Sequence, residues 1–150
     1  MNVGRICSRR LVTANPQLSL KEAAELMREK HVGFLVVVPA DPRSPRSPVG
    51  VLTDRDIVVS AVAQSVDPTA INVGEVMTAR PAVAGEADPI RDALRTMHSM
   101  GVRRLPVVNA RGELAGVLSL DDLLQFIAEE VMDLAGTVRN ERHIEGVLRS

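Results

Sequence analysis

The stretch GVLTDRD at residues 50–56 returns as GVLSLDD at residues 116–122. In both copies two apolar residues follow a glycine and lead to a hydroxyl residue, and an aspartate stands three positions beyond that hydroxyl. The apolar part is typical of a buried strand, and the hydroxyl residue with its aspartate is a capping-box pattern that begins a helix. A strand that leads directly into a capped helix is therefore predicted twice in this chain.

The repetition extends over almost the whole sequence. Residues 3–40 align with residues 73–110 at an offset of 70, with eleven identical pairs. The offset then falls to 66, because the first copy has four more residues between its two predicted hairpin strands. A period of this length indicates a duplicated structural unit. Neither copy, at about 65 residues, buries much apolar surface alone, so we expect the two to pack as one pseudo-symmetric unit.

Each copy predicts the same order of elements: a short strand, a helix, a two-stranded hairpin and a second helix. In the first copy, Ser19 and Glu22 form a capping box ahead of an apolar stripe at helical spacing. In the second copy, Asp88 is the predicted N-cap, Pro89 the first helical residue and Gly101 the left-handed residue that ends the helix. The predicted fold class is therefore α/β, with a β-α-β-β-α order in each copy.

The predicted organisation has four parts. Residues 1–66 form the first repeat, residues 67–72 a linker, residues 73–135 the second repeat, and residues 136–150 a tail that contains a further short helix.

Composition narrows the class of function. Hydrophobic residues make up 45% and charged residues 25% of the chain, and the net charge is −1, which is typical of a folded globular protein. Phe34 and Phe126 are the only aromatic residues, so a platform for stacking nucleic-acid bases is not expected. No apolar run is long enough to span a membrane and the first residues do not resemble a signal peptide, so a cytoplasmic location without membrane contact is expected.

The element order and the two signatures together resemble the CBS (cystathionine-β-synthase) repeat family. Two further stretches carry the resemblance: VGEVMTARP at residues 73–81 and VRRLPVV at residues 102–108. The resemblance covers nearly everything except the tail. It implies a stand-alone tandem pair of CBS repeats packed as one Bateman-type module.

The resemblance also implies which residues bind a ligand. In such families the aspartate typically contacts the ribose, the threonine or serine contacts phosphate, and adenine lies in an aliphatic cleft between the copies. Carried over, this implies one site with Thr53 and Asp56 and another with Ser119 and Asp122. The other predicted ligand-binding residues are Arg55, Arg103, Arg104, Met77, Thr78, Pro81, Val83 and Pro106. The corresponding stretch of the first copy, residues 7–13, lacks the proline, and its equivalence to the second copy is left open.

Elementary chemistry is consistent with ligand binding by these residues, and it also allows a simpler, purely structural interpretation of them. A helix N-terminus presents unpaired N–H groups and a positive dipole end, which suits a phosphate, and a guanidinium group binds phosphate with two hydrogen bonds. The alternative interpretation is that Thr53 and Ser119 only cap their helices and that the arginines are ordinary surface residues.

The function that these observations favour is a non-catalytic regulatory module. It would bind an adenine nucleotide (AMP, ADP or ATP) as a regulatory ligand, with S-adenosylmethionine and NAD-like molecules left open, need no cofactor and signal to a protein partner. The chain has no P-loop, no dinucleotide fingerprint and no clustered metal ligands. A homodimer is expected through outward apolar helix residues: Val58, Val59, Val62, Phe126, Ile127 and Val131. The alternatives are a ligand-free dimerisation or protein-interaction module, a hidden enzyme site, and nucleic-acid binding through the loop with Arg43 and Arg46.

Overall fold

A computed structural model describes residues 1–149 as an α/β fold with two small sheets. The first unit contains β1 (Thr13–Ala14), α1 (Leu20–Lys30), β2 (Phe34–Val37), β3 (Gly50–Thr53) and α2 (Asp54–Ile57), which continues as a π-helix over Val58–Val62. The second unit contains α3 (Val73–Val76), β4 (Thr78–Ala79), β5 (Ala84–Gly85), α4 (Ile90–Met100), β6 (Arg104–Val108), β7 (Leu114–Ser119) and α5 (Leu120–Leu148).

The two sheets have the same arrangement. In the first, β1 is parallel to β2, and β2 is antiparallel to β3. In the second, β5 is parallel to β6, and β6 is antiparallel to β7. The predicted α/β class, with β-α-β-β-α in each copy, is confirmed.

The opening segments of the two copies are exchanged. Strand β4, which opens the second copy, pairs with β3 of the first, and Thr78 lies opposite Val51. At the equivalent position Ser8 of the first copy forms a bridge with Val117 of β7. The exchange continues upstream, because the Val3 N–H donates to the Asp88 carbonyl at 2.9 Å and the Val73 N–H donates to the Leu18 carbonyl at 2.8 Å. Each sheet is therefore completed by the other copy.

The opening segment of each copy also contributes a buried residue to the hydrophobic core of the other copy. Val3 is fully buried in a cluster with Ala93, Met97 and Leu105 of the second copy. Val73 is fully buried among side chains of the first copy. A third cluster joins the two sheets, with Val36 and Val38 packed near Leu114. The division into residues 1–66, 67–72, 73–135 and 136–150 stays a prediction, but packing does not separate the copies.

Local chemistry fixes most helix ends as predicted. Ser19 and Glu22 form the predicted capping box of α1, and Gly101 ends α4 with φ of 64°. The predicted N-cap of α4 was wrong: Pro89 occupies that position and the Asp88 carboxylate accepts instead from the Gly85 N–H, at 2.7 Å. The aspartate thus stabilises the turn before the helix. The N-cap residue Pro89 makes no side-chain hydrogen bond to the helix.

Helix α5 is longer than predicted. The separate short helix expected within residues 136–150 does not occur, since α5 runs without a break from Leu120 to Leu148. Gly136 lies inside it, and tolerating a glycine in a helix costs about 1 kcal/mol relative to alanine without breaking the helix. Beyond Leu123, the helix has no buried residue as far as it is described. Among residues 1–149, none of the helices has the length and apolar character needed to cross a membrane.

Candidate functional site

The two signature motifs form matching helix starts. The Thr53 hydroxyl accepts from the Asp56 N–H at 3.1 Å, and the Thr53 N–H donates to Oδ2 of Asp56 at 2.8 Å. Ser119 and Asp122 repeat this geometry with the same two distances. The capping function is therefore present in both copies.

Capping engages only one carboxylate oxygen, Oδ2, of each aspartate. In the second copy, Oδ2 of Asp122 accepts from both the N–H and the hydroxyl of Ser119, the latter at 2.6 Å. Within residues 1–149 no hydrogen bond reaches Oδ1 of Asp122 or Oδ1 of Asp56. Both carboxyl groups belong to half-buried residues. Each can therefore accept hydrogen bonds from a ligand while it caps its helix.

A cleft of about 280 Å³ lies beside Ser119 and Asp122. This volume is close to the lower end of small-molecule sites, about 300–1,000 Å³. Both copies contribute to its walls, which consist of Ser8, Arg10, Val12, His31, Val32, Gly33, Phe34, Arg104, Val117, Ser119 and Asp122. The exchanged opening segment of the first copy therefore forms one wall of the cleft, and both copies contribute polar side chains to it.

Phe34 and Arg104, one from each copy, lie together in the wall of the cleft. These two residues are equivalent at the offset of 70, and each begins the hairpin of its own copy. The Arg104 guanidinium lies 5.8 Å from the centroid of the Phe34 ring, which is within the range of a cation–π contact. The contact orients an exposed arginine along the cleft wall.

The arginine side chains that line the cleft form no ion pair within residues 1–149. No acidic side chain within residues 1–149 forms an ion pair with Arg10 or Arg104. The neighbouring Arg9, in contrast, bonds Glu86 at 2.5 Å and the Ala115 carbonyl at 2.9 Å. The bond to Glu86 raises the pKa of Arg9 above its ordinary value. Arg9 is thus structural, whereas Arg10 is available to an anion.

The structure distributes the predicted site residues over several places. Ser119, Asp122 and Arg104 line the cleft. Arg103 lies on the surface, 3.9 Å from Asp121, and Pro106 is fully buried in β6.

The remaining predicted residues are near the first signature. Thr53 and Asp56 form the cap, Arg55 is exposed on α2, and Thr78 is exposed in β4. Pro81 is half-buried and Val83 is 41% exposed. Met77 packs with its side chain against Gly50, whereas the equivalent Cys7 packs against Gly116. A smaller side chain thus stands beside the second signature.

Sequence reasoning missed the first-copy wall of the cleft. None of its residues was among the predicted site residues: Ser8, Arg10 and Val12 lie in the stretch whose equivalence was open because it lacks the proline, and residues 31–34 carry no part of the signature motifs. The Ser8 bridge to Val117 matches the Thr78 pairing with Val51, so the equivalence holds in the structure. The identity of Arg10 with Arg80 at the offset of 70 was the signal that could have identified this wall.

Metal binding has no support in the part of the chain that is described. Within residues 1–149, no group of three or more histidine, cysteine, aspartate or glutamate side chains is placed to hold a metal ion.

The fold and the paired signatures define a known class. The model of the CBS domain family matches residues 3–62 and 73–129, so this chain belongs to the CBS domain family.

Relatives and solved structures agree with that assignment. Protein MK0525 of Methanopyrus kandleri is 32% identical over 126 residues, which are 83% of this chain and 62% of that protein. The CBS domain protein PAE2072 of Pyrobaculum aerophilum, solved with AMP, has 31% identity and a TM-score of 0.74 over 82% of this chain and 90% of its own. The CBS domain pair of protein MJ0100, solved with 5′-methylthioadenosine and S-adenosyl-L-methionine, has 25% identity and a TM-score of 0.73 over 87% of this chain and 98% of its own.

Proposed function

We propose that this protein is a regulatory module that binds an adenosyl ligand in the cleft beside Ser119 and Asp122. The observation that carries the proposal is the free Oδ1 of Asp122 at the edge of an open cleft that both copies line. A carboxylate oxygen in that position can accept hydrogen bonds from the two hydroxyls of a ribose. The aliphatic wall residues Val12, Val32 and Val117 offer an apolar surface to the adenine ring.

The helix start supports the same assignment. Ser119 is the N-cap of α5, a helix of 29 residues, and the positive end of the helix dipole lies at that N-terminus. Anions bind at such positions because backbone N–H groups point outward. Here the N–H groups of Leu120 and Asp122 donate to the Arg103 carbonyl and the Ser119 hydroxyl. Within residues 1–149, the Asp121 N–H is therefore the one of the first three that a ligand can use. One solved relative contains AMP and another contains 5′-methylthioadenosine and S-adenosyl-L-methionine, which supports an adenosyl ligand here.

Regulation follows from differential binding. A ligand that contacts both copies stabilises one relative arrangement of them. The share of molecules in that arrangement rises, and the affinity for a protein partner that prefers it rises as well. The proposed activity is to sense the ligand without converting it. The proposed location is the cytoplasm, where the protein would have access both to adenine nucleotides and to its partner.

Calorimetric titration with AMP tests the proposal. Asp122→Asn should weaken binding at least tenfold, about 1.4 kcal/mol, because the carboxylate loses its charge. Asp56→Asn changes the equivalent cap in the other copy and should alter AMP affinity less than twofold. The proposal fails if AMP, ATP, S-adenosylmethionine and 5′-methylthioadenosine all leave the wild type without heat or thermal shift, or if Asp56→Asn alone abolishes binding. Chromatography of AMP after incubation should recover it unchanged.

A second candidate function is self-association. The π-helix exposes Val58, Val59 and Val62 at 53, 49 and 72%, and α5 exposes Ile127 and Val131 at 49 and 57%. Phe126, also predicted for this surface, is half-buried. We propose that these two apolar surfaces join two copies into a homodimer, since exposed apolar patches commonly mark protein interfaces. Light scattering should report twice the chain mass for the wild type and a lower mass for Val62→Glu. A monomeric wild type at high concentration would contradict this.

A further inference from the structure

The exchanged opening segments follow the two sheets differently. In the first sheet, β4 pairs with β3 through Thr78 and Ala79, and the Arg80 N–H then donates to the Val49 carbonyl at 3.2 Å. The segment thus runs along the strand edge for three residues. Arg80 makes the last of these contacts with a left-handed backbone, at φ of 48°. Such a φ is uncommon and unfavourable for a residue other than glycine.

In the second sheet, the segment leaves the strand edge after one residue. Ser8 exchanges two backbone hydrogen bonds with Val117, at 2.9 and 3.0 Å. The next contact, by the equivalences at the offsets of 70 and 66, would join the Arg10 N–H to the Ala115 carbonyl. The Arg10 N–H donates instead to the Ser8 hydroxyl at 3.2 Å, and Arg10 is not among the described residues with a left-handed backbone. The chain therefore turns away from β7 and into the wall of the cleft.

The side chain of Arg9 replaces the backbone contact that is missing here. Its guanidinium donates to the Ala115 carbonyl at 2.9 Å. Ala115 is the extra residue of a β-bulge in β7, because the register with β6 shifts between Val107 and Val108. A bulged residue is left out of the ladder, so its carbonyl is free to accept from a side chain. The equivalent position in β4 is Ala79, which has no side-chain group that could donate such a bond.

Two further hydrogen bonds fix where the Arg9 side chain lies. Its guanidinium also donates to the Glu86 carboxylate at 2.5 Å and to the Gly4 carbonyl at 3.0 Å. Glu86 follows β5, and Gly4 belongs to a short 3₁₀ helix at the start of the chain. The planar fork of a guanidinium holds several acceptors in one fixed geometry. The residues on either side of Arg9, Ser8 and Arg10, both line the cleft, so the position of Arg9 determines where this wall stands.

We propose that Arg9 is a positioning residue for ligand binding. By replacing a backbone contact with β7, its guanidinium holds the opening segment away from the strand edge and keeps the cleft beside Asp122 open. Without the guanidinium, the Ala115 carbonyl loses its donor, and it regains one when the segment adopts the course of β4. Arg10 would then take the left-handed backbone of Arg80, and the wall would move towards β7. This inference rests on the proposed adenosyl site and adds a residue that acts on that site without lining it.

Titration of AMP into the wild type and into variants of this contact tests the proposal. The Arg9 side chain is 52% exposed, so its replacement leaves the buried core intact. Arg9→Met removes every donor and should weaken AMP binding about tenfold, because the displaced wall loses its contacts with the ligand. Arg9→Lys keeps a cationic donor for the Ala115 carbonyl and should stay within about threefold of the wild type.

Two control variants separate positioning from the loss of a charge or an ion pair. Glu86→Gln removes the negative charge but keeps an oxygen that can accept from Arg9, so AMP affinity should stay within about twofold of the wild type. Arg111→Met removes another arginine with an acidic partner, Glu113 at 3.1 Å, away from the cleft, and should leave AMP affinity unchanged.

A crystal structure of Arg9→Met adds a readout that needs no ligand. We expect the Arg10 N–H to donate to the Ala115 carbonyl there, with φ of Arg10 in the left-handed region. An unchanged course of the segment overturns the inference, and so does wild-type AMP affinity in Arg9→Met or an equal loss in Glu86→Gln; in each case AMP binding by the wild type leaves the adenosyl site in place. Absence of binding by the wild type for every adenosyl compound overturns both proposals together.

Discussion

Replacing Gly116 by alanine tests the contact between the exchanged opening segment and β7. An added methyl group would lie 2.8 Å from Sγ of Cys7 and 2.8 Å from the carbonyl oxygen of Ser8. The Ser8 backbone is held in place by two hydrogen bonds with Val117, at 2.9 and 3.0 Å. The methyl group can be accommodated only if this segment moves away from β7.

The cost can be worked from the contacts that must change. Overpacking a filled site typically costs about 1–3 kcal/mol, and each weakened backbone hydrogen bond adds about 1 kcal/mol. With one of the two Ser8–Val117 bonds weakened, we expect Gly116→Ala to lower the free energy of unfolding by about 2–4 kcal/mol. Because unfolding free energies fall by about 1–3 kcal/mol per molar urea, the midpoint should move down by about 1–2 M. Far-UV circular dichroism is the suitable probe, since the chain has no tryptophan or tyrosine.

The equivalent glycine of the first copy is the control. At Gly50 the three atoms nearest to an added methyl all belong to Met77: Sδ and Cγ can move away by side-chain rotation, and Cβ, at 3.2 Å, needs to shift by only a few tenths of an ångström. Gly50→Ala should cost less than about 1 kcal/mol. If Gly116→Ala is no more destabilising than Gly50→Ala, the reasoning is refuted. Full rescue of Gly116→Ala by Cys7→Ala would likewise show that the sulfur contact, and not the Ser8 backbone, carries the cost.

Three other predictions concern stability and reactivity. Gly136→Ala, where the added methyl meets no atom within 4 Å, should raise the free energy of unfolding by about 0.5–1 kcal/mol and the thermal midpoint with it; a lower midpoint would contradict the continuous α5. Burial raises the pKa of the Cys7 thiol, so an aromatic disulfide reagent should modify it more slowly in the folded protein than in urea, and faster as the pH rises; equal rates would contradict the burial. Val3→Ala and Val73→Ala should each cost about 2 kcal/mol in urea unfolding, and a neutral Val3→Ala would contradict its place in the second core.

The sequence predicts those parts of the fold that local chemistry decides. The capping boxes at Ser19, Thr53 and Ser119 all occur, because a cap needs only residues three positions apart. The two hairpins also occur, since apolar runs and turn residues lie close together in the chain. Local patterns fail at Asp88, where a carboxylate has two nearby backbone N–H groups to choose from, and at Gly136, where one glycine does not end a helix.

The sequence did not predict which residues far apart in the chain would come together at the cleft. Ser119, Asp122 and Arg104 were predicted for a ligand site and share one cleft. Arg10 was not predicted, because its place depends on an exchange between segments far apart in the chain, such as Ser8 with Val117, and His31 was not, because it lines the cleft only through the packing of the two copies. A short opening segment has no periodicity of its own that says which sheet it will join.

The exchanged opening segments have a consequence for how such a protein could arise. If the opening segment of a single-copy chain paired as it does here, it would complete the sheet of a second chain, and two such chains would form a symmetric pair with identical surroundings at their signatures. Duplication and fusion would place both halves in one polypeptide and release the two halves from identity. The chain has used that freedom at equivalent positions: cysteine against methionine at 7 and 77, and histidine against glycine at 31 and 101. The two signatures, equivalent in sequence, thereby lie in unequal surroundings, which a symmetric pair of identical chains could never possess.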